Sequence, residues 1–452
     1  MEYQFYEQSF YLTIGVANDS LQISKENIMT NFFLNKLFTT PELLDKYTKK
    51  AIDKHINKAM INNSFSNQND LNIIYHKIAD GQYKIAPSHM GEVPKDDGTM
   101  RTVYINEGFD RVLIAYYNDM FFQYCSERIH KQCKSYQTGI GTGRVVKELI
   151  KYISECKSND IGAKLDLSKY FDTPQIEYID KEFAYIESKF GEDAGLNALK
   201  EFYHMNWVFD LNGNLVEHYH SLGQGVSTAS YLADALLYHI DKEISEKYDV
   251  YYVRYSDDIC IIGKEWKKAF DRVSEMLNDM NLTLNPKKIE FLTKDKYFKF
   301  LGFSLRDNNI TISKPRLEKF KKEIIKLTLK SKRKTLDGVV HDVIYFLYGK
   351  GDYSWATSML NTINVIEDIQ ELNSFVMDCI RGWYFNKRKI KFIGNLGYEN
   401  RLDKKGVVTR GTGASVTTMR AKMPEIKGYL SLEMMRELMI MDKRIYKSKL
   451  SA

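Results

Sequence analysis

No stretch of this chain approaches the ~18 consecutive apolar residues that a membrane-spanning helix needs, so no such helix is expected. The N-terminus, Met1-Glu-Tyr-Gln-Phe-Tyr6, lacks the basic segment of a secretory signal, and a cytoplasmic location is the default expectation. The five cysteines, Cys125, Cys133, Cys156, Cys260 and Cys379, are scattered, odd in number and free of any C-x-x-C pair, which argues against a zinc module or a disulfide framework. Internal repeats and low-complexity tracts are missing too, so the 452 residues have to be divided by pattern, into an expected two to four subdomains. Net charge is only +6, but its distribution is uneven. Between Lys314 and Lys334 ten Lys or Arg face only Glu318 and Glu323, a block suited to a polyanion.

Residues 1–84 read as mainly helical, with Thr40 before Pro41 as a helix start and Leu44, Tyr47, Ala51, His55 and Ala59 as a helical stripe. Short strands around Asp96-Asp97-Gly98 follow, then a helix over 107–125 and a glycine-rich connection over 136–144. The middle third alternates. A strand is expected over 161–166, a helix opening at Thr173-Pro174 and stopping at Gly191, a long helix from about 225 to 246, a hairpin, and a helix carrying Trp266, Phe270, Val273, Leu277 and Met280. Past residue 312 the pattern is almost all helix. Leu317, Phe320, Ile324 and Leu327 form one apolar stripe; a looser basic stretch over 394–420 holds Arg410-Gly-Thr-Gly413, and Pro424 precedes a last amphipathic helix.

The chemistry concentrates in Tyr251-Tyr-Val-Arg-Tyr-Ser-Asp-Asp-Ile-Cys-Ile-Ile262, where Asp257 and Asp258 lie between two β-prone apolar runs. Adjacent carboxylates on a tight turn repel each other, and a divalent cation makes their joint ionisation favourable. A third acid, Asp166, ends the expected strand before Leu167-Ser-Lys-Tyr-Phe-Asp172. Three carboxylates from two strand ends can hold two Mg²⁺ ions for in-line phosphoryl displacement. Other candidates are weaker. Gly139-Ile-Gly-Thr-Gly143 lacks the Lys-Ser/Thr of a phosphate-binding loop, and His218 and His220 alternate as on a strand without a third ligand.

In order along the chain, these residues resemble reverse transcriptases over about residues 92–330. Asp166-Leu-Ser-Lys-Tyr-Phe-Asp172 resembles the first palm motif, Leu222-Gly-Gln-Gly-Val-Ser-Thr228 the second with Gly223 where many members have Pro, and Tyr255-Ser-Asp-Asp258 the Tyr-x-Asp-Asp box. Asn285-Pro-Lys-Lys288 and Phe300-Leu-Gly-Phe303 are similar to the fourth motif and the primer-grip hairpin; Pro94 to Arg101 with Asp110-Arg-Val-Leu113 is similar to the fingers signature. Ser135-Tyr136 with Gly143-Arg144 resembles a segment of intron-type members.

The resemblance implies an α+β right-hand polymerase fold: a helical N-terminal extension (1–84), fingers (85–150), a palm with an antiparallel sheet (151–312), a helical thumb (313–395) and a basic C-terminal extension (396–452). It implies Asp166, Asp257 and Asp258 as catalytic metal ligands, with the carbonyl of Leu167 beside the second of two Mg²⁺ ions and Mn²⁺ as a substitute. Lys95 and Arg101 are expected to grip the triphosphate, Gln224 to contact nucleotide and templating base, Lys287 to bind substrate, and Phe171 to act as a steric gate selecting dNTPs. Lys319, Lys321, Lys322 and Lys326 are expected to bind nucleic acid. After the thumb no His/Asn nuclease motif, zinc module or RNase H acids are found, and the retron signatures are missing. The remainder is similar to stand-alone bacterial reverse transcriptases of abortive infection and phage defence, which implies an RNA template, a noncoding RNA among them, and a DNA product. Template-independent or protein-primed synthesis, and a non-catalytic RNA scaffold, stay open at this point.

Overall fold

The structure is a computed structural model and describes residues 31–52, 68–95, 99–349, 354–387 and 429–441. Among the described residues the first elements are the helices α1 (Phe32–Thr39), α2 (Pro41–Ile52) and α3 (Gln68–Ala79). Pro41 takes the first position of α2, where its missing N–H costs nothing; His55 and Ala59, expected to continue that stripe, lie outside the described residues. The antiparallel hairpin of β1 (His89–Pro94) and β2 (Met100–Ile105) follows; its turn, with Asp96-Asp97-Gly98, is outside the described residues. Next is α4 (Gly108–Tyr124), burying Phe109, Leu113, Tyr116 and Met120 as their spacing requires. The glycine-rich connection stops sooner than its composition suggests. A helix that the sequence reading did not foresee, α5 (Thr142–Glu155), begins inside it and buries Val145, Val146, Leu149, Ile150 and Ile153.

The middle third contains β3 (Asp160–Asp166), α6 (Ile176–Phe190), α7 (Ala194–His204), the short pair β4 (Trp207–Phe209) and β5 (Leu215–Glu217), α8 (Ala229–Ala235), α9 (Tyr238–Lys247), β6 (Val250–Tyr255), β7 (Asp258–Gly263) and α10 (Trp266–Asp279). Two expectations are corrected here. Helix α6 starts at Ile176, not at Thr173-Pro174, because the Pro174 carbonyl accepts hydrogen bonds from the hydroxyls of Tyr219 (3.0 Å) and Ser221 (2.7 Å). The long helix expected over 225–246 is two, broken at Leu236-Leu237. There the carbonyl of Ala233 accepts from the Tyr170 hydroxyl (2.7 Å) and that of Asp234 from Arg254 (2.8 Å), which diverts both from continuing the helix. The chain then runs through β8 (Glu290–Thr293), β9 (Phe298–Phe300), β10 (Phe303–Arg306) and β11 (Asn309–Ile312) into α11 (Lys314–Leu327), α12 (Leu336–Tyr348), α13 (Trp355–Met359), α14 (Ile366–Lys387) and α15 (Leu432–Met441). The stretch over 394–420, with Arg410-Gly-Thr-Gly413, and Pro424 lie outside the described residues.

The palm sheet has the order β6-β7-β3-β8, antiparallel throughout, and is covered on both faces. Ala163, Leu165, Tyr252, Ile259 and Ile261 face one core, shared with α4, α6, α7 and α10. Ile161, Tyr251, Val253, Cys260, Ile262 and Leu292 face a second, shared with α5 and the thumb helices. Strands buried on both faces need apolar residues at nearly every position, which accounts for the apolar runs over 250–253 and 259–262 on either side of the acidic turn. The first core also takes in Phe33, Leu34 and Leu37 of α1, so this helix is continuous with the core on that face of the palm sheet. A second sheet has the order β2-β1-β4-β5, and a third, β11-β10-β9, leads into α11.

Candidate active site

Asp166 is the last residue of β3 and Asp258 the first of β7, and the two are direct partners across the antiparallel ladder. With side chains alternating along a strand, both leave the sheet on the same face as Cys260 and Ile262, the thumb face. Ser256 and Asp257 form the whole β6–β7 turn, with Tyr255 opposite Asp258. The Asp257 carbonyl accepts the Leu167 N–H (3.0 Å), tying the turn to the end of β3. Leu167 itself is buried.

Three carboxylates so placed strain against their own charge. Burial, then the charge of Asp166, raises the Asp257 carboxyl above its ordinary range, against Lys288 and Arg101. Burial and then Asp257 push Asp258 up to about 6, with Lys164 opposing. Lys288 is the counter-charge in closest contact. Its Nζ donates to both oxygens of Asp166, at 2.9 and 2.8 Å. Lys287, expected to bind substrate, is its exposed neighbour, and the Lys287 backbone N–H donates to Asn285 Oδ1 (3.2 Å), the cap of the short 3-10 turn that carries both lysines. Nothing in the spacing Asn-Pro-Lys-Lys separates the two lysines.

The all-oxygen donor set, with more negative charge than the protein neutralises, fits a hard divalent cation. Among the described residues no three acidic, histidine or cysteine side chains already stand as a closed metal cage. Asp166, held by Lys288, is the member that would have to exchange partners. His218 and His220 do not contribute. They lie past the end of β5, not on a strand; His218 Nε2 meets the Tyr104 hydroxyl (2.8 Å), and His220 is buried against Phe202.

Around the acids, the loop Leu222–Val226 is held between palm and fingers. The Gly223 N–H donates to the Phe171 carbonyl (3.2 Å), and the Gln224 carbonyl accepts the Tyr104 N–H (2.7 Å) at the base of β2. Gly223 has φ 69°, a conformation closed to the proline that many relatives carry there. Gly225 has φ 108°, and a Cβ on it would stand 2.6 Å from the Tyr104 carbonyl oxygen. The Phe171 ring packs edge-on to Tyr170 and is partly buried. Asp172 has its carboxyl raised, by burial first, against Lys169, His218 and Lys95. Lys95 and Arg101 sit exposed at the far end of the β1–β2 hairpin, where the Lys95 N–H donates to the Thr99 carbonyl (2.8 Å). On α11, Lys319, Lys322 and Lys326 are exposed, but Lys326 pairs with Glu323 (3.1 Å), and Lys321 turns to Glu371 on α14 (3.1 Å) and over the Phe375 ring.

A palm sheet with carboxylates on adjoining strand ends, fingers hairpin and helical thumb defines a nucleotidyltransferase fold of the right-hand polymerase class. Within it, residues 93–305 match the family described as reverse transcriptase (RNA-dependent DNA polymerase), and this part of the chain, a little under half of it, is a reverse transcriptase domain. Domains of this family generally use divalent metal ions. Among solved structures the chain is similar to apo telomerase from Candida tropicalis, with 12% identity, 68% of this chain and 59% of that one covered, and a TM-score of 0.40. It is also similar to telomerase from Candida albicans in complex with a TWJ fragment of telomeric RNA, with 12% identity, 71% and 66% covered, and a TM-score of 0.38. The chain thus spans less than two thirds of the length of either. No curated protein matches it.

Proposed function

We propose that the protein is an RNA-directed DNA polymerase that adds dNTPs by two-metal phosphoryl transfer, with Mg²⁺ as the working ion and Mn²⁺ as a substitute. The observation that carries this reading is the pairing of Asp166 with Asp258 across β3 and β7, with Asp257 in the adjoining turn, inside a reverse transcriptase domain. In this reading Asp166 and Asp257 would hold the ions, with Asp258 and the Leu167 carbonyl beside them. When bound, the two ions lower the pKa of the attacking 3′-hydroxyl and neutralise charge at the transferring phosphate and the leaving pyrophosphate. The protein's own groups do the positioning. Lys95, a point charge, and Arg101, a forked donor, hold the β- and γ-phosphates from the hairpin. Gln224 would meet the nucleotide and templating base on a loop fixed by Phe171 and Tyr104, and the Phe171 ring would exclude a ribose 2′-hydroxyl. The template is RNA, and the exposed lysines of α11 follow the backbone of its duplex with the product. Resemblance in the sequence supports a narrower reading, a stand-alone enzyme of phage defence working with its own noncoding RNA in the cytoplasm.

The test is to purify the full chain with the RNA that accompanies it, add Mg²⁺ and labelled dNTPs, and sequence the product beside an Asp257→Ala, Asp258→Ala variant. DNA complementary to the bound RNA, reduced more than about a hundredfold in the variant, is expected. A homopolymer or random tract would point to untemplated addition, product covalently attached to the chain to protein priming, and RNA binding without synthesis to a scaffold.

A further inference from the structure

The turn that carries Asp257 and Asp258 depends on Ser256, whose backbone is left-handed at φ 58°, a conformation that a residue with a Cβ adopts only at a cost. Buried contacts hold it there. The Ser256 N–H donates to Ser135 Oγ (2.9 Å), and Ser135 Oγ donates in turn to Asp234 Oδ1 (2.5 Å). From the other side Arg254 Nη1 donates to the Ser256 carbonyl (3.2 Å). Arg254 is itself locked by a fork onto Asp241, Nε to Oδ1 at 2.8 Å and Nη2 to Oδ2 at 2.7 Å. Ser135, Asp234, Asp241 and Arg254 are all 0% exposed. Residues 132–134 run along the open edge of β6, with the Arg254 N–H on the Gln132 carbonyl (3.0 Å) and the Lys134 N–H on the Arg254 carbonyl (2.8 Å), and so deliver Ser135 to the turn.

Two carboxylates and a guanidinium in a dry core are an expensive way to fill space, since apolar residues of similar volume commonly do it as well or better. What apolar residues cannot supply is an acceptor for one amide and a donor for one carbonyl of the same strained residue. We propose that Ser135, set by Asp234 and aided by the Arg254–Asp241 fork, is a positioning residue that fixes the left-handed backbone of Ser256 and so sets the direction in which Asp257 and Asp258 leave the sheet. The inference rests on the polymerase reading and adds to it a residue far from the acids in sequence.

The experiment compares wild type, Ser135→Ala, Ser135→Ala with Ser256→Gly, and Asp257→Ala with Asp258→Ala. Each is read by kcat and dNTP KM and by Mn²⁺ binding to the full chain without nucleotide, followed by electron paramagnetic resonance. Ser135→Ala should lower kcat about tenfold, the factor expected for losing the hold on one left-handed residue, and weaken Mn²⁺ binding severalfold. KM should stay within about twofold, because Lys95, Arg101 and Gln224 are untouched. Adding Ser256→Gly should recover most of both losses, since glycine takes this backbone without a clamp. Unchanged kcat and Mn²⁺ affinity in Ser135→Ala, or losses that Ser256→Gly leaves in place, would overturn the proposal. If the alanine variant does not fold, Ser135→Cys, close in volume but a weak donor and acceptor, is read the same way. Mn²⁺ binding that needs Asp257 and Asp258 and weakens in Ser135→Ala, in a protein that makes no DNA, would sink the polymerase reading and leave the positioning role standing.

Discussion

Asp234 illustrates how burial governs single residues in this protein. Its carboxyl is pushed up to about 6 by burial, against the opposing pull of Arg254 and Ser135. A folded-state pKa above the ordinary value means that the fold prefers the protonated acid, so the associated stability is complete below about pH 4 and is lost as pH rises through 6. Asp234→Asn keeps an acceptor for Ser135 and removes the titration. Relative to that variant, wild type should lose up to about 3 kcal/mol between pH 4 and 7 in urea unfolding; parallel pH profiles would refute this. Gly225 is constrained by space instead. Gly225→Ala should displace the Gln224 loop from Tyr104 and raise the dNTP KM by about tenfold or more, with kcat less affected. A steady-state titration decides it.

At the scale of elements, local patterning accounts for most of what forms and long-range hydrogen bonds for where it stops. The stripes of α4, α6 and α10 are plain in the sequence, yet the break between α8 and α9 depends on Tyr170 and Arg254, 63 and 20 residues from the carbonyls they engage. Helix α5 carries a stripe as regular, Val145, Val146, Leu149, Ile150 and Ile153, but it starts inside a glycine-rich segment whose composition suggests a connection. Another junction makes a prediction. Asp193 caps α7 through the N–H groups of Gly195 and Leu196 (both 3.1 Å) and also accepts from Phe33 (2.8 Å) and Leu34 (3.1 Å) at the start of α1. One buried carboxylate therefore serves two helix N-termini. Asp193→Ala should cost about 3 kcal/mol, a lost cap plus stranded donors, visible as a lower denaturant midpoint.

Across the whole molecule, the palm sheet separates two cores, and the thumb is fastened to the second through α15. The Leu432 N–H donates to Asn373 Oδ1 (3.1 Å) on α14, and Arg436 Nε to the Ile363 carbonyl (3.3 Å). This packing sorts a basic block that looks uniform in sequence. Lys321 is half-buried and pairs with Glu371 on the neighbouring helix α14, whereas Lys322 is exposed. If α11 holds duplex, Lys322→Ala should weaken primer–template binding and reduce the slope of log affinity against log salt by about one, and Lys321→Ala should do so less. Equal effects, or none, would argue against that surface.

The sequence by itself determined the local terms: the apolar stripes of α4, α6 and α10, that Asp257 and Asp258 lie together between two strands, and that Asp166 ends a strand before Phe171. Periodicity and turn chemistry act between near neighbours, so they can be read from spacing. Only the tertiary structure decided that Asp166 stands opposite Asp258, that Lys288 and not Lys287 reaches it, and that Ser135 holds Ser256 from 121 residues away. Those outcomes depend on strand register and on which buried donor finds which acceptor, and both are settled by packing the two cores against one sheet.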